Sequence, residues 1–384
     1  QNSYEKFRDF HAGDEQQRQF YLQMIDKWTK TKAFHSNMQA VKQPFNTYYI
    51  SSTKINYFSG IPVTEIRKNN EELSETISKA VQLSPKTTAF SYVSKDFDYS
   101  KMIGDTDYSY RSGVGFTPQE LYMLNYVGTS QLQGYGRFFN QKFSRSKYKV
   151  DDMPADGWIL PTDFVFPLLT APEITSFHVS DISQYCLIPY KISNTKSPVP
   201  HEILKLNYPE LYDYLFRHKE IIEKQSEKSK FMLRGNEFYA LSKIGAYTFA
   251  DCLVAVRDNS RFCASVVTNK LTSWNEKKHM VCAKHIIFVS QRKDGTFISE
   301  SEADYIVGIL NSSIVKSYME NSFQSNSYSL NQSNIYLPCY DSENELHRQI
   351  SIIANHARNT TDTNEITTFQ NELTGLYLKI CEQK

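Results

Sequence analysis

Apolar residues recur along this chain in two rhythms. Between 14 and 33, Tyr21, Leu22, Ile25 and Trp28 fall at helical spacing and predict an amphipathic helix. From Asn69 to Leu83 the residues Leu73, Ile77, Ala80 and Val81 predict a second helix, stopped before Pro85. Helical spacing returns at 208–227, 301–320, 344–358 and 363–381, the last carrying Ile366, Phe369, Leu373, Leu376 and Ile380 on one face. Between the helices, stretches rich in β-branched and aromatic residues predict strands. They are 46–58, TAFSYVSKDFDYS (88–100), QYCLIPYKI, FYALSKI, DCLVAVRD with RFCASVVT, and HMVCAKHIIFVSQ. A loop rich in Ser, Pro and Asn spans 193–200, and Lys293-Asp294-Gly295 marks a turn. This mixed order predicts an α+β fold, with mixed sheets, flanking helices and a helical C-terminal tail.

The 384 residues suggest two or three domains and suffice for a substantial core. A net charge of +1 does not by itself announce nucleic acid, so the distribution of charge matters more than its sum. From Leu121 to Val150 no acidic residue occurs, whereas Arg137, Lys142, Arg145, Lys147 and Lys149 do. The 26 tyrosines fit either an extended wet contact surface or an aromatic core. The six cysteines include no CxxC pair and match no zinc pattern with histidine, so they read as reduced, mostly buried thiols. The absence of a signal peptide and of a long apolar run leads to the expectation of a soluble cytoplasmic protein without a membrane partner.

Signatures of catalysis are missing. A DNA methyltransferase needs a glycine-rich loop after a strand for S-adenosylmethionine, and an N/D-P-P-Y/F tetrapeptide to hold the flipped base. The chain has no Pro-Pro dipeptide, and neither YFSGIP (57–62) nor SGVGF (112–116) opens a βαβ unit. GxxxxGK[ST], GxSxG and HExxH motifs are also absent. Asp96, Asp98 and Lys101, with Asp105 and Asp107, could hold a nuclease metal, although such clusters are usually solvated loop charges. His285 sits in an apolar pattern and reads as a packed core histidine.

Several segments in order resemble the C-terminal, target-recognition region of adenine-N6 DNA methyltransferases and fused methylase–nucleases of restriction–modification systems. RSGVGFTPQELYML (111–124) looks like that family's R-x-G-x-x-T block, and DGWILPTDFVFPLLTAPEITSF (156–177) like its Pro-Leu-Leu segment. There Thr170-Ala171-Pro172-Glu173-Ile174 stands where Arg-Gly is common, so no arginine role carries over at that point. QYCLIPY (184–190), YPELYDYLFRHKEIIEKQSE (208–227), FYALSKIGAYTFADCLVAVR (238–257), SEADYIVGILNSSIVKSYM (301–319) and NIYLPCYDSENELHRQISIIANHA (334–357) continue the resemblance over about two-thirds of the chain. It implies a target-recognition domain at 106–340 and a C-terminal helical pair at 341–384. Residues 1–105 stay open between the tail of a methyltransferase domain and a partner-binding element.

The resemblance implies a sequence-specific double-stranded DNA reader for phage defence. Its partner would be a methyltransferase catalytic domain or subunit that binds S-adenosylmethionine. This chain alone is expected to hold no cofactor or metal and to be inactive. Base edges are read by bidentate Arg, Asn or Gln, while cations sit on phosphates. The first candidate stretch therefore holds Arg137, Asn140, Gln141, Lys142, Arg145, Lys147 and Lys149, against a plain solvated loop. The second holds Asn269, Lys270, Ser273, Trp274, Asn275 and Lys277, against an ordinary hairpin loop. The third, with Gln324 and Asn326, fits a helix cap equally well, and Arg111 is a candidate phosphate contact. Asn311 and Ser312 read as structural, their side chains bonding locally to backbone, and Gly245 as a turn residue. Two other classes remain open: a stand-alone metal-dependent nuclease, and a module that binds RNA or polysaccharide.

Overall fold

A computed structural model describes the backbone at 61–69, 72–82 and 90–92, and residues 99–384 apart from 145–148, 227–232, 234 and 323–329. The expected helix at 14–33 and strands at 46–58 lie outside the described residues, as do Asp96 and Asp98. The chain divides into two compact units, Gln1–Ser100 and Lys101–Lys384.

In the first unit, strands β1 (Ile61–Asn69), β2 (Glu72–Gln82) and β3 (Phe90–Tyr92) form an antiparallel sheet in that order. The helix expected at 69–83 is thus a strand. The reason lies in the spacing: Leu73, Ile77 and Val81 recur every four residues, which satisfies a helical face and an alternating strand equally. The β-branched Thr76, Ile77 and Val81 favour the strand.

The second unit is α+β, with two main sheets and a helical C-terminus. The larger sheet runs β14 (Val281–Cys282), β8 (Val165–Leu169), β9 (Gln184–Leu187), β5 (Met123–Thr129), β6 (Tyr135–Asn140) and β7 (Trp158–Pro161). Strand β8, flanked by β14 and β9, is buried throughout, as the unbroken apolar run VFPLL dictates. By contrast β6 alternates half-buried and buried residues, so Phe138 and Asn140 point inward while Arg137 and Phe139 point outward. The second sheet runs β11 (Cys263–Thr268), β10 (Cys252–Arg257), β15 (Ile286–Arg292) and β4 (Tyr108–Ser112), all antiparallel. A two-stranded hairpin pairs β12 (Lys270–Leu271) with β13 (Lys277–Lys278).

Among the helices, α1 (Gln119–Tyr122) precedes α2 (His201–Asn207), α3 (Pro209–Arg217) and α4 (Lys219–Ser226). The single helix expected at 208–227 is therefore broken at His218, a buried residue whose imidazole lies 2.7 Å from the Tyr214 carbonyl and 3.1 Å from Asp152. Two further corrections concern strands, and one concerns His285. FYALSKI forms turns, because Tyr239 and Leu241 are fixed through the Tyr239 hydroxyl on Val199 O (2.5 Å) and the Leu241 N–H on the Tyr190 hydroxyl (2.8 Å). HMVCAKHIIFVSQ turns a corner at 283–286 and serves both sheets. At that corner His285 is exposed and not core.

The C-terminal layer comprises α5 (Glu300–Asn311), α6 (Ser313–Ser322), α7 (Glu345–Asn359) and α8 (Thr363–Glu382). Its start signals are side-chain caps: Ser299, Asn344 and Asp362 each accept from the first turn of the helix that follows. A Cβ on Gly308 would stand 2.7 Å from Ile350 and 3.1 Å from Leu373, so a glycine there lets α7 and α8 approach α5. Glu302 of α5, itself buried, accepts from Arg292 on β15 (2.7 and 2.9 Å) and from the Tyr108 hydroxyl on β4 (2.8 Å), pinning helix to sheet. All six cysteines carry free thiols, five of them buried. No helix among the described residues is long and apolar enough to cross a membrane.

Candidate nucleic-acid interface

The stretch 137–149 divides sharply between surface and core. Arg137 is half-buried on the outward side of β6, and its Nε–H donates to the Thr129 carbonyl at 3.1 Å. That bond fixes the guanidinium plane, while its two amino groups have no partner among the described residues. Asn140, expected at DNA, is instead buried and saturated. Its Nδ2 donates to Glu120 O (2.8 Å) and to the Tyr214 hydroxyl (2.7 Å), and its Oδ1 accepts from Trp158 Nε1 (2.7 Å). The residue's place on the inward side of β6 decides this.

Lys149 is also claimed internally. The fully buried Glu120 accepts from its ammonium (3.1 Å), from Phe143 N (3.1 Å) and from Val150 N (3.2 Å). Burial alone would raise the Glu120 carboxyl; these three donors outweigh it and hold it below its ordinary value. Lys142 is exposed, donates to Val150 O and lies 4.0 Å from Asp151. Gln141 is half-buried, with its Nε2 unpaired among the described residues. Arg145, Lys147, Gln324 and Asn326 lie outside the described residues.

The second stretch is the β12–β13 hairpin and its turn, in which Asn275 adopts a left-handed φ of 64°. Trp274 packs inward, with ring centroids 4.8 Å from Tyr185, 5.3 Å from Tyr126 and 5.8 Å from Phe138. Ser273 hydrogen-bonds the Tyr185 hydroxyl through both Oγ (2.8 Å) and N (2.9 Å). Lys270 donates to Ile182 O at 3.0 Å and lies 4.0 Å from Asp181, and Asn269 donates to Asp251 at 2.7 Å. Ser273 and Trp274 therefore brace the large sheet through Tyr185, Tyr126 and Phe138, and Lys270 ties the hairpin to residues 181 and 182 just before β9. Asn275 and Lys277 remain exposed at the tip, and Lys277 has no carboxylate partner among the described residues. Arg111 is exposed on β4, its guanidinium 4.8 Å above the Tyr247 ring.

The hairpin supports a surface that the sequence reading missed. Asn125 pairs with Phe139 on one side and with Gln184 on the other, so the three residues form a row across β9, β5 and β6. Arg137, two residues from Phe139, continues the same face and pairs with Ile159 of β7. Asn125 is exposed, and Val127 (41%) and Ile159 (39%) are apolar residues left in solvent. The alternation in MLNYVGT is the signal that would have found Asn125 as an outward residue.

Among the described residues, His201, Glu202 and Glu237 make up the one group spaced to hold a metal ion. Glu237 lies 3.1 Å from Nδ1 of His201 and Glu202 3.2 Å from Nε2, so both ring nitrogens face a carboxylate. Asp107 is committed elsewhere, accepting from Cys339 N at 2.8 Å. No profile of a known protein family matches this sequence, and no curated protein matches it.

Proposed function

We propose that this chain is a sequence-specific double-stranded DNA recognition module, working beside an adenine-N6 methyltransferase domain or subunit. One observation carries the DNA reading: Asn125, Gln184 and Arg137 share one outward face of a braced antiparallel sheet. Arginine pairs with guanine and the amides with adenine at the major-groove edge, and that groove admits a two-stranded ribbon. A base reader must hold its donors in fixed positions. Here the Thr129 carbonyl orients Arg137, and the Trp274 cluster stiffens the strands behind it. Lys142, Lys277 and Arg111 are exposed cations suited to flanking phosphates.

The methyltransferase context rests on the order of the motifs between 110 and 360. The associated catalytic domain would bind S-adenosylmethionine and flip the adenine. Selection of bound sequences from a randomised duplex pool tests the reading. A defined consensus containing adenine is expected, and replacement of Asn125 or Arg137 by Ala should relax single positions of it. Recovery of unselected sequence, or preference for RNA, would overturn it.

A further inference from the structure

Three backbone segments meet beside the sheet edge at 113–115. Val114 bridges to Ala283, and Gly115 bridges to Ser242. The approach is close: a Cβ on Gly113 would stand 2.2 Å from Ala283 O and 2.3 Å from Cys282 O. The residues that follow the two bridged positions are Lys243 and Lys284, so the junction brings the backbones just before two lysines onto the adjacent residues Val114 and Gly115, which follow β4.

Both features of this pair run against ordinary stability. Lys243 holds a left-handed φ of 58°, a conformation strained for a residue with a side chain. Burial, and then repulsion from Lys284, hold the Lys243 ammonium below its ordinary value. Neither lysine has a hydrogen bond or ion pair among the described residues. Two cations without a partner among the described residues, one half-buried and one exposed, on backbone segments bridged to adjacent residues, suit an anion.

We infer that Lys243 and Lys284 form a phosphate-binding pair that takes a backbone phosphate of the duplex. This inference rests on the DNA reading above. It also gives a role to the glycines of RSGVGF, whose missing side chains let the three segments converge. The pair positions the module and carries no sequence information, so its loss should weaken all duplexes alike.

The test is the dependence of duplex affinity on salt for wild type, Lys243→Gln, Lys284→Gln and Lys243→Arg. Each neutral variant should lower the slope of log K against log salt by about 0.9, and Lys243→Arg should keep it. Lys243→Gly relieves the left-handed backbone, so it should fold at least as well as wild type and still lose the slope. Wild-type slopes in both neutral variants overturn the pair and leave the DNA reading intact. If the wild type binds no duplex, the DNA reading fails, and inorganic phosphate decides the pair separately. Shifts of both lysine Cε resonances on phosphate addition, absent in Lys284→Gln, support it; unshifted resonances overturn it.

Discussion

Asn311 holds both backbone groups of Ala264: its Oδ1 accepts from Ala264 N at 2.9 Å and its Nδ2 donates to Ala264 O at 2.7 Å. Ala264 lies on β11, an edge strand of the four-stranded sheet. A primary amide offers one donor and one acceptor in the spacing of a peptide group, so Asn311 stands in for a neighbouring strand there. The Leu-Asn-Ser turn thereby docks the C-terminal helices on the sheet. Ser312 bonds locally, to Ile309 O at 2.7 Å, whereas Asn311 reaches 47 residues back along the chain.

Asn311→Ala leaves a buried N–H short of its partner and should cost about 3 kcal/mol of folding stability. Urea unfolding followed by circular dichroism measures this as a lowered midpoint with an unchanged slope. Asn311→Asp should cost more, because it removes the Nδ2 donor and buries a charge. An unmoved midpoint together with lost DNA binding would make Asn311 a contact residue instead.

Asn140 and Arg137 are near neighbours in sequence but should respond in opposite ways. Asn140→Ala strips partners from Trp158 and Tyr214 and should lower stability by roughly 2–4 kcal/mol. Arg137→Ala should leave the thermal midpoint within the small range of ordinary surface changes while weakening duplex binding. Thermal melting and fluorescence anisotropy on the same two variants separate the roles.

His347 gives the fold a mild acid sensitivity. Burial holds its imidazole below the ordinary value of 6.5, with the Asp341 charge opposing, and its Nδ1 accepts from Asp341 N at 3.0 Å. The unfolded chain therefore binds the proton more readily. Stability from this group is complete above pH 6.5 and declines as pH falls from there toward the lower folded value. His347→Gln should flatten that limb of the stability–pH curve and leave stability above neutrality nearly level. Urea midpoints across a pH series read this out. An equally steep acid limb in the variant would assign the sensitivity to another group.

The α+β class and the C-terminal helices were legible in the sequence because their signals are local: apolar period, caps and a turn at Gly295. The 69–83 segment misled because its four-residue spacing fits both periods, and pairing with Ile61–Asn69 decides between them. At the candidate interface, residue type pointed to Arg137 and Asn140 together, but only alternation along β6 separates an outward cation from a buried amide. Trp274 looked like a groove contact because it lies in a polar loop. Its aromatic partners come from three strands distant in sequence, which no local pattern reveals. Gln184 was likewise invisible until register set it beside Asn125.

The central claim is that this chain grips duplex DNA through placed cations and reads it from the β5–β6 face. Its most direct test is the equilibrium affinity for duplex DNA measured across a salt series. Affinity should fall linearly in log–log form, by about 0.9 per phosphate contact, and Arg137→Ala should narrow the gap between the selected duplex and a scrambled one. Affinity that does not change with salt, or no binding to any duplex, would contradict the account.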